Sequence, residues 1–144
     1  MYHRDFLIRM LQQFVVLMAR LAGLKSKDDP EVVIAETDAG LKQFTGLNPE
    51  IIANLSTDSL VTLLSARDPD DHTTLAMMLL LLKSQGQAYL NVNAEIQGRS
   101  RLRKAIELLD RIDLDKLPSE LRQYMNVRAD LEAILDAADF KTLE

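Results

Sequence analysis

The chain has 144 residues, 47% apolar and 27% charged, with no cysteine, and its 17 basic and 22 acidic side chains leave a net charge of −5. A chain of this size buries enough surface to fold as one domain without a metal or crosslink, and the missing cysteines exclude a disulfide framework, a thiolate nucleophile and Cys-based zinc or iron-sulfur sites. The acidic balance opposes nucleic acid and anionic lipid over most of the surface.

Apolar residues recur at spacings of three and four almost throughout, and no clean alternation bounded by hairpin turns interrupts them, which predicts an all-α chain. The expectation is one domain over 1–144, a right-handed antiparallel bundle of about six to seven helices. The first helix is predicted from about Tyr2 to Gly23, with Lys25 and Lys27 near the negative end of its dipole. Asp28-Asp29-Pro30 starts a second helix that ends before Gly46, and Asn48-Pro49 opens a short one over Glu50 to Leu55. Ser56 or Thr57 caps the next, which carries Leu60, Val61, Leu63 and Leu64. Asp68-Pro69-Asp70-Asp71 launches a central helix toward Asn91, and its run Leu75 to Leu82 reads as buried core. A tight reversal is expected at Val92 to Ala94, because Asn93 tolerates the left-handed conformation that ends helices. A helix over about Glu95 to Ile112, a loop over Asp113 to Leu117 and a last helix from Ser119 to about Ala138 complete the chain. Leu143-Glu144 reads as a vector remnant and carries no expectation.

The first helix is more apolar than a surface helix needs. Leu7, Met10, Phe14, Leu17, Leu21 and Leu24 form one seam and Ile8, Leu11, Val15, Met18 and Ala22 a second, together about 220° of the circumference. Asp5, Arg9, Gln12, Gln13 and Arg20 fill most of the remainder, with Val16 among them. Either later helices cover both seams, or the helix completes its burial in a homodimer through Leu7, Met10, Phe14, Leu17 and Leu21. No stretch matches a secretory signal, and the longest uninterrupted apolar run is far short of the roughly 20 residues of a spanning helix. A cytoplasmic address without membrane association is therefore expected.

Leu82, Gly86 and Tyr89, followed by Gly98, Leu102 and Ala105, carry a spacing that resembles a single tetratricopeptide repeat, within a hairpin over about residues 75–112. Gly86 and Gly98 are expected on facing turns of two antiparallel helices, where missing side chains allow close approach. Gln85 stands where that family usually has leucine, Asn93 replaces the turn glycine, and the closing proline is absent. No second copy follows at a period of about 34 residues. Together with the opening Arg4-Asp5-Phe6-Leu7, Arg9-Met10-Leu11 and Phe14, this hairpin also resembles a family of short bacterial helical proteins of unknown function.

Lys83, Gln87 and Asn91 recur every four residues and form one stripe of the central helix. The resemblance implies that such a stripe faces a peptide-binding groove; the plain alternative is a solvent-facing stripe. Arg99, Arg101, Arg103 and Lys104 form the densest basic run. It either pairs with acids such as Asp110, Asp113 or Asp115 or is simply solvated, or it holds an anionic partner; nucleic acid is disfavoured because no aromatic residue interleaves. Asp68, Asp70, Asp71 and His72 are the one acid-histidine cluster, and helix capping explains them without a metal. Neither His3 nor His72 has the spacing of a zinc site or a nucleophile triad, there is no Gly-rich phosphate loop, and the pairs Glu36/Asp38 and Glu132/Asp136 are ordinary on solvated faces. No catalytic residue, cofactor or metal is assigned. The expected function is a non-catalytic protein-protein interaction or scaffold module with an unidentified protein or peptide partner or a second copy of itself. The alternatives are a small enzyme or ligand-binding bundle, and an anion-binding regulator acting through Arg99 to Lys104.

Overall fold

Helix starts follow the punctuation of the chain. In the computed structural model, which describes residues 2–24, 29–67 and 72–143 and the side chains from 5 to 140 within them, the elements are α1 (Tyr2–Gly23), α2 (Pro30–Thr45), α3 (Pro49–Asn54), α4 (Thr57–Arg67), α5 (His72–Asn91), α6 (Glu95–Leu109), a one-turn 3-10 helix (Leu114–Lys116), α7 (Ser119–Arg122) and α8 (Arg128–Leu143). The described chain is all-α, with no strand among the described residues. Pro30 and Pro49 open α2 and α3 at the turn where a missing N–H leaves no intrahelical bond unmade. The Ser59 amide donates to Ser56 Oγ at 3.1 Å, which caps α4. Asn93 holds φ at 63°, as the reversal between α5 and α6 requires. The expectations placed on Lys25, Lys27, Asp68, Asp70 and Asp71, and on the His3 side chain, lie outside the described residues.

Three boundaries differ from expectation, one of them the end of the last helix, which runs to Leu143 rather than about Ala138. α6 stops at Leu109 rather than near Ile112, because the Asp113 carboxylate accepts the Asp115 amide at 3.1 Å and starts the 3-10 turn instead. The single last helix is two: α7 ends after Arg122, and α8 begins at Arg128. Met125 and Val127 are both buried, at 4% and 8% exposure. In one continuous helix they would point about 200° apart, and the break lets both reach the core from one side. The break makes eight α-helices among the described residues where six to seven helices were expected.

The core is organised around α5. From Leu75 to Leu82 no residue is more than 5% exposed, so this helix needs neighbours on every side. α2 packs against one flank and α6 against another, with α7, α8 and the 3-10 turn touching it more lightly, while α8 rests chiefly on α6. Each fully buried Leu or Met contributes roughly 1.5–3 kcal/mol. The α5–α6 hairpin is drawn tight by its glycines. A methyl group on Gly86 would lie 2.7 Å from Leu102 Cγ and 3.0 Å from the Gly98 carbonyl oxygen; one on Gly98 would lie 2.7 Å from Leu90 Cδ2 and 2.9 Å from the Gly86 carbonyl oxygen. The two glycines therefore face each other, backbone on backbone.

Candidate functional site

α1 meets the body of the protein mainly at α2. Phe14 is fully buried and meets Phe44 edge to face, with centroids 5.3 Å apart. Leu21 is also buried, Met10 and Leu17 are partly buried against the core, and Leu7 is half-buried. The residues expected to meet a second copy thus form the inner seam, where Phe14 and Leu21 are already covered by the chain itself. Of the second seam, Leu11 and Met18 lean on the core, but Ile8 remains 45% exposed, and beside it Val16 is 69% exposed. Phe6 stands 60% exposed near the start of the helix. A shallow recess of about 400 Å³ runs along this outer face, lined by Ile8, Leu11, Gln12, Val15, Val16 and, from α7, Glu120. On its polar flank α1 is tied to α2 by Arg20 to Glu36 at 2.8 Å and by the Gln43 amide donating to Gln13 at 3.0 Å. By length and composition the stretch Asp5–Gly23 is long and apolar enough to cross a membrane, with 11% of it buried. Counting uninterrupted apolar residues misses this, because Arg9, Gln12, Gln13 and Arg20 divide the stretch without making it polar on average.

The stripe Lys83, Gln87 and Asn91 lines two recesses, one chiefly between α5 and α8 and one where α5 meets α1, α2 and Ile134 of α8. The larger, of about 490 Å³, is lined by Gln87, Leu90 and Asn91 of α5, Glu95 of α6, and Ile134 and Ala137 of α8 among others. The smaller, of about 160 Å³, takes in Lys83, Ser84 and Gln87 together with Leu21, Leu24, Val33 and Ile134. Gln87 and Ile134 belong to both. Lys83 lies 4.0 Å from the Asp130 carboxylate, at the outer limit of an ion pair. Lys83 and Gln87 are half-buried and Asn91 is exposed where they line these recesses.

The basic run is dispersed by the fold. Arg99 lies 3.7 Å from Glu95 and 3.5 Å from Asp139, and Arg103 reaches the same Asp139 at 3.4 Å. Arg101 lies over the Tyr89 ring, 4.8 Å from its centroid, and donates to Gln85 Oε1 at 3.3 Å. Lys104 turns inward: it is 8% exposed, and its ammonium donates to the carbonyls of Ile52 at 2.5 Å and Ala53 at 3.1 Å. These are carbonyls in the last turn of α3, where a cation is favoured by the dipole. The acids that pair with this run are Glu95 and Asp139 rather than the three expected; Asp110 is taken by Arg128.

Gln85 is the residue that spacing alone does not flag. It is 1% exposed, and its amide donates to Thr37 Oγ1 at 3.0 Å and to Asp38 Oδ1 at 2.6 Å while its carbonyl accepts from Arg101. The signal was the departure from leucine on a buried face, since a buried amide must find partners. Of the carboxylate pairs, Asp38 serves this network, Glu36 holds Arg20, and Glu132 is 3.9 Å from Arg128. His72 Nδ1 accepts the Asp113 amide at 3.1 Å. Among the described residues no three His, Asp or Glu side chains gather as a metal site.

Comparison with protein-family models, with curated proteins and with solved structures finds no match for the chain.

Proposed function

We propose that this chain is a non-catalytic protein-association module whose docking surface is the outer face of α1. The observation that carries the reading is the exposure of Val16 at 69% and Ile8 at 45% on a helix whose inner seam is already covered. Single exposed apolar residues are ordinary on a surface, but a contiguous band along one helix face marks a contact site. Leu11 and Val15 lie in the same band and line the same recess. The depression beside Gln87 and Asn91 offers a second surface for a peptide or protein partner, with amides on one wall and aliphatic side chains on its floor. The pairing of Arg99 and Arg103 and the burial of Lys104 leave less support for an anion-binding regulator.

Light scattering across micromolar concentrations tests the reading. The wild-type chain is expected above its monomer mass of 16.3 kDa, and Val16→Glu is expected at that mass. A wild-type chain that stays monomeric throughout overturns self-association through this face.

A further inference from the structure

We infer that α3 and α4 form a strap that opens as a unit while the body built by α2, α5 and α6 stays folded, and that Lys104 is its latch. The strap begins and ends at one place. The Arg67 guanidinium, at the end of α4, donates to the Thr45 carbonyl, at the end of α2, at 2.5 Å. Residues 46–67 are therefore an excursion closed at its base, and they can lift from the surface while Thr45 and Arg67 stay together. Gly46, with φ at 74°, makes the turn that leads out of α2.

Little apolar surface holds the strap down. From Pro49 to Arg67 only Ile52, Thr57, Leu60 and Leu64 are buried, whereas every residue from Leu75 to Leu82 is. α3 rests chiefly on α2 and α4 chiefly on α6. At six and eleven residues the two helices are too short to persist alone in water, so lifting the strap unravels it. One contribution favours opening: the Thr57 hydroxyl is buried without a hydrogen-bond partner among the described residues, and opening returns it to water. Two polar ties oppose it. Lys104 of α6 holds the last-turn carbonyls of Ile52 and Ala53, and Arg111, just past α6, pairs with Asp58. Asp58 is 83% exposed, where solvent screens the pair, so Lys104 supplies most of the polar hold. Opening releases both cations from their partners on the strap.

Hydrogen exchange of the intact chain, read by mass spectrometry over a series of sub-denaturing urea concentrations, tests the strap. Amides of residues 49–67 are expected to show protection at least about tenfold lower than those of residues 75–82. Their urea dependence is expected to be shallow, since a local opening exposes little new surface. Lys104→Met should lower the protection of residues 49–67 by about 5–30-fold. Equal protection and equal urea dependence in the two regions overturn the inference, and so does a Lys104→Met chain in which protection of residues 49–67 is unchanged. The wild-type comparison needs no substitution and decides whether or not the variant folds.

Discussion

Lys104 shares a run of sequence with Arg99, Arg101 and Arg103, yet its ammonium is directed onto the carbonyls of Ile52 and Ala53, which fastens the end of α3 to α6. Burial, and secondarily the positive charge of Arg101, lowers its pKa from the ordinary 10.5, with Glu107 partly opposing. Below the lowered folded-state pKa both folded and unfolded chains carry the proton, and the cost of holding that charge in the protein is fully present. Between that pKa and 10.5 the unfolded chain binds more protons than the folded one, so this residue makes stability rise with pH. Lys104→Met should lower stability at neutral pH by about 1–2 kcal/mol, because two carbonyls lose a charged donor. Its deficit relative to wild type should widen as pH climbs toward 10.5. Urea unfolding at a series of pH values measures both; equal stability at neutral pH would show the contact to be energetically empty.

At the level of elements, the α5–α6 hairpin gives a test whose sign discriminates. Alanine in place of glycine inside a helix ordinarily stabilises by about 1 kcal/mol. At Gly86 and Gly98 the new methyl meets the facing helix backbone at 3.0 Å and 2.9 Å, and the backbone cannot yield as a side-chain tip can. Each substitution should therefore destabilise by about 1–3 kcal/mol, as overpacking does, measured by thermal or denaturant unfolding. Stabilisation by either would mean that the two helices have room between them. The close approach was legible from the residue spacing, since glycine in mid-helix has little other use. The break between α7 and α8 was not. Met125, Asn126 and Val127 have no proline or glycine to announce it, and with the break two residues at odds in helical phase both reach the core.

On the scale of the molecule, α5 is the hub, and α1 meets the body of the protein mainly through α2. α2 and α6 enclose the Leu75 to Leu82 stretch, while α1 packs mainly on α2 and leaves Ile8 and Val16 exposed on its outer face. Association through its other face would link stability to protein concentration, because a complex formed by folded chains alone draws the equilibrium toward the folded state. The midpoint of thermal unfolding should thus rise with concentration for wild type and stay constant for Val16→Glu, as scanning calorimetry can follow. A concentration-independent wild-type midpoint would count against association of the folded chain.

Helix identity and most helix ends were determined by the sequence alone, because apolar period, proline at helix starts and asparagine at the reversal act within a few residues. So was the contact of Gly86 with Gly98, which follows from helical phase in a hairpin with a short turn. Only the tertiary structure decided which seam of α1 is covered, where the last helix breaks, and what each cation of the Arg99 to Lys104 run meets. Those outcomes depend on groups far along the chain: Phe44 against Phe14, Asp139 beside Arg103, Ile52 beneath Lys104. A local pattern shows that a side chain is apolar or charged; the partner that buries or neutralises it is a property of the packing.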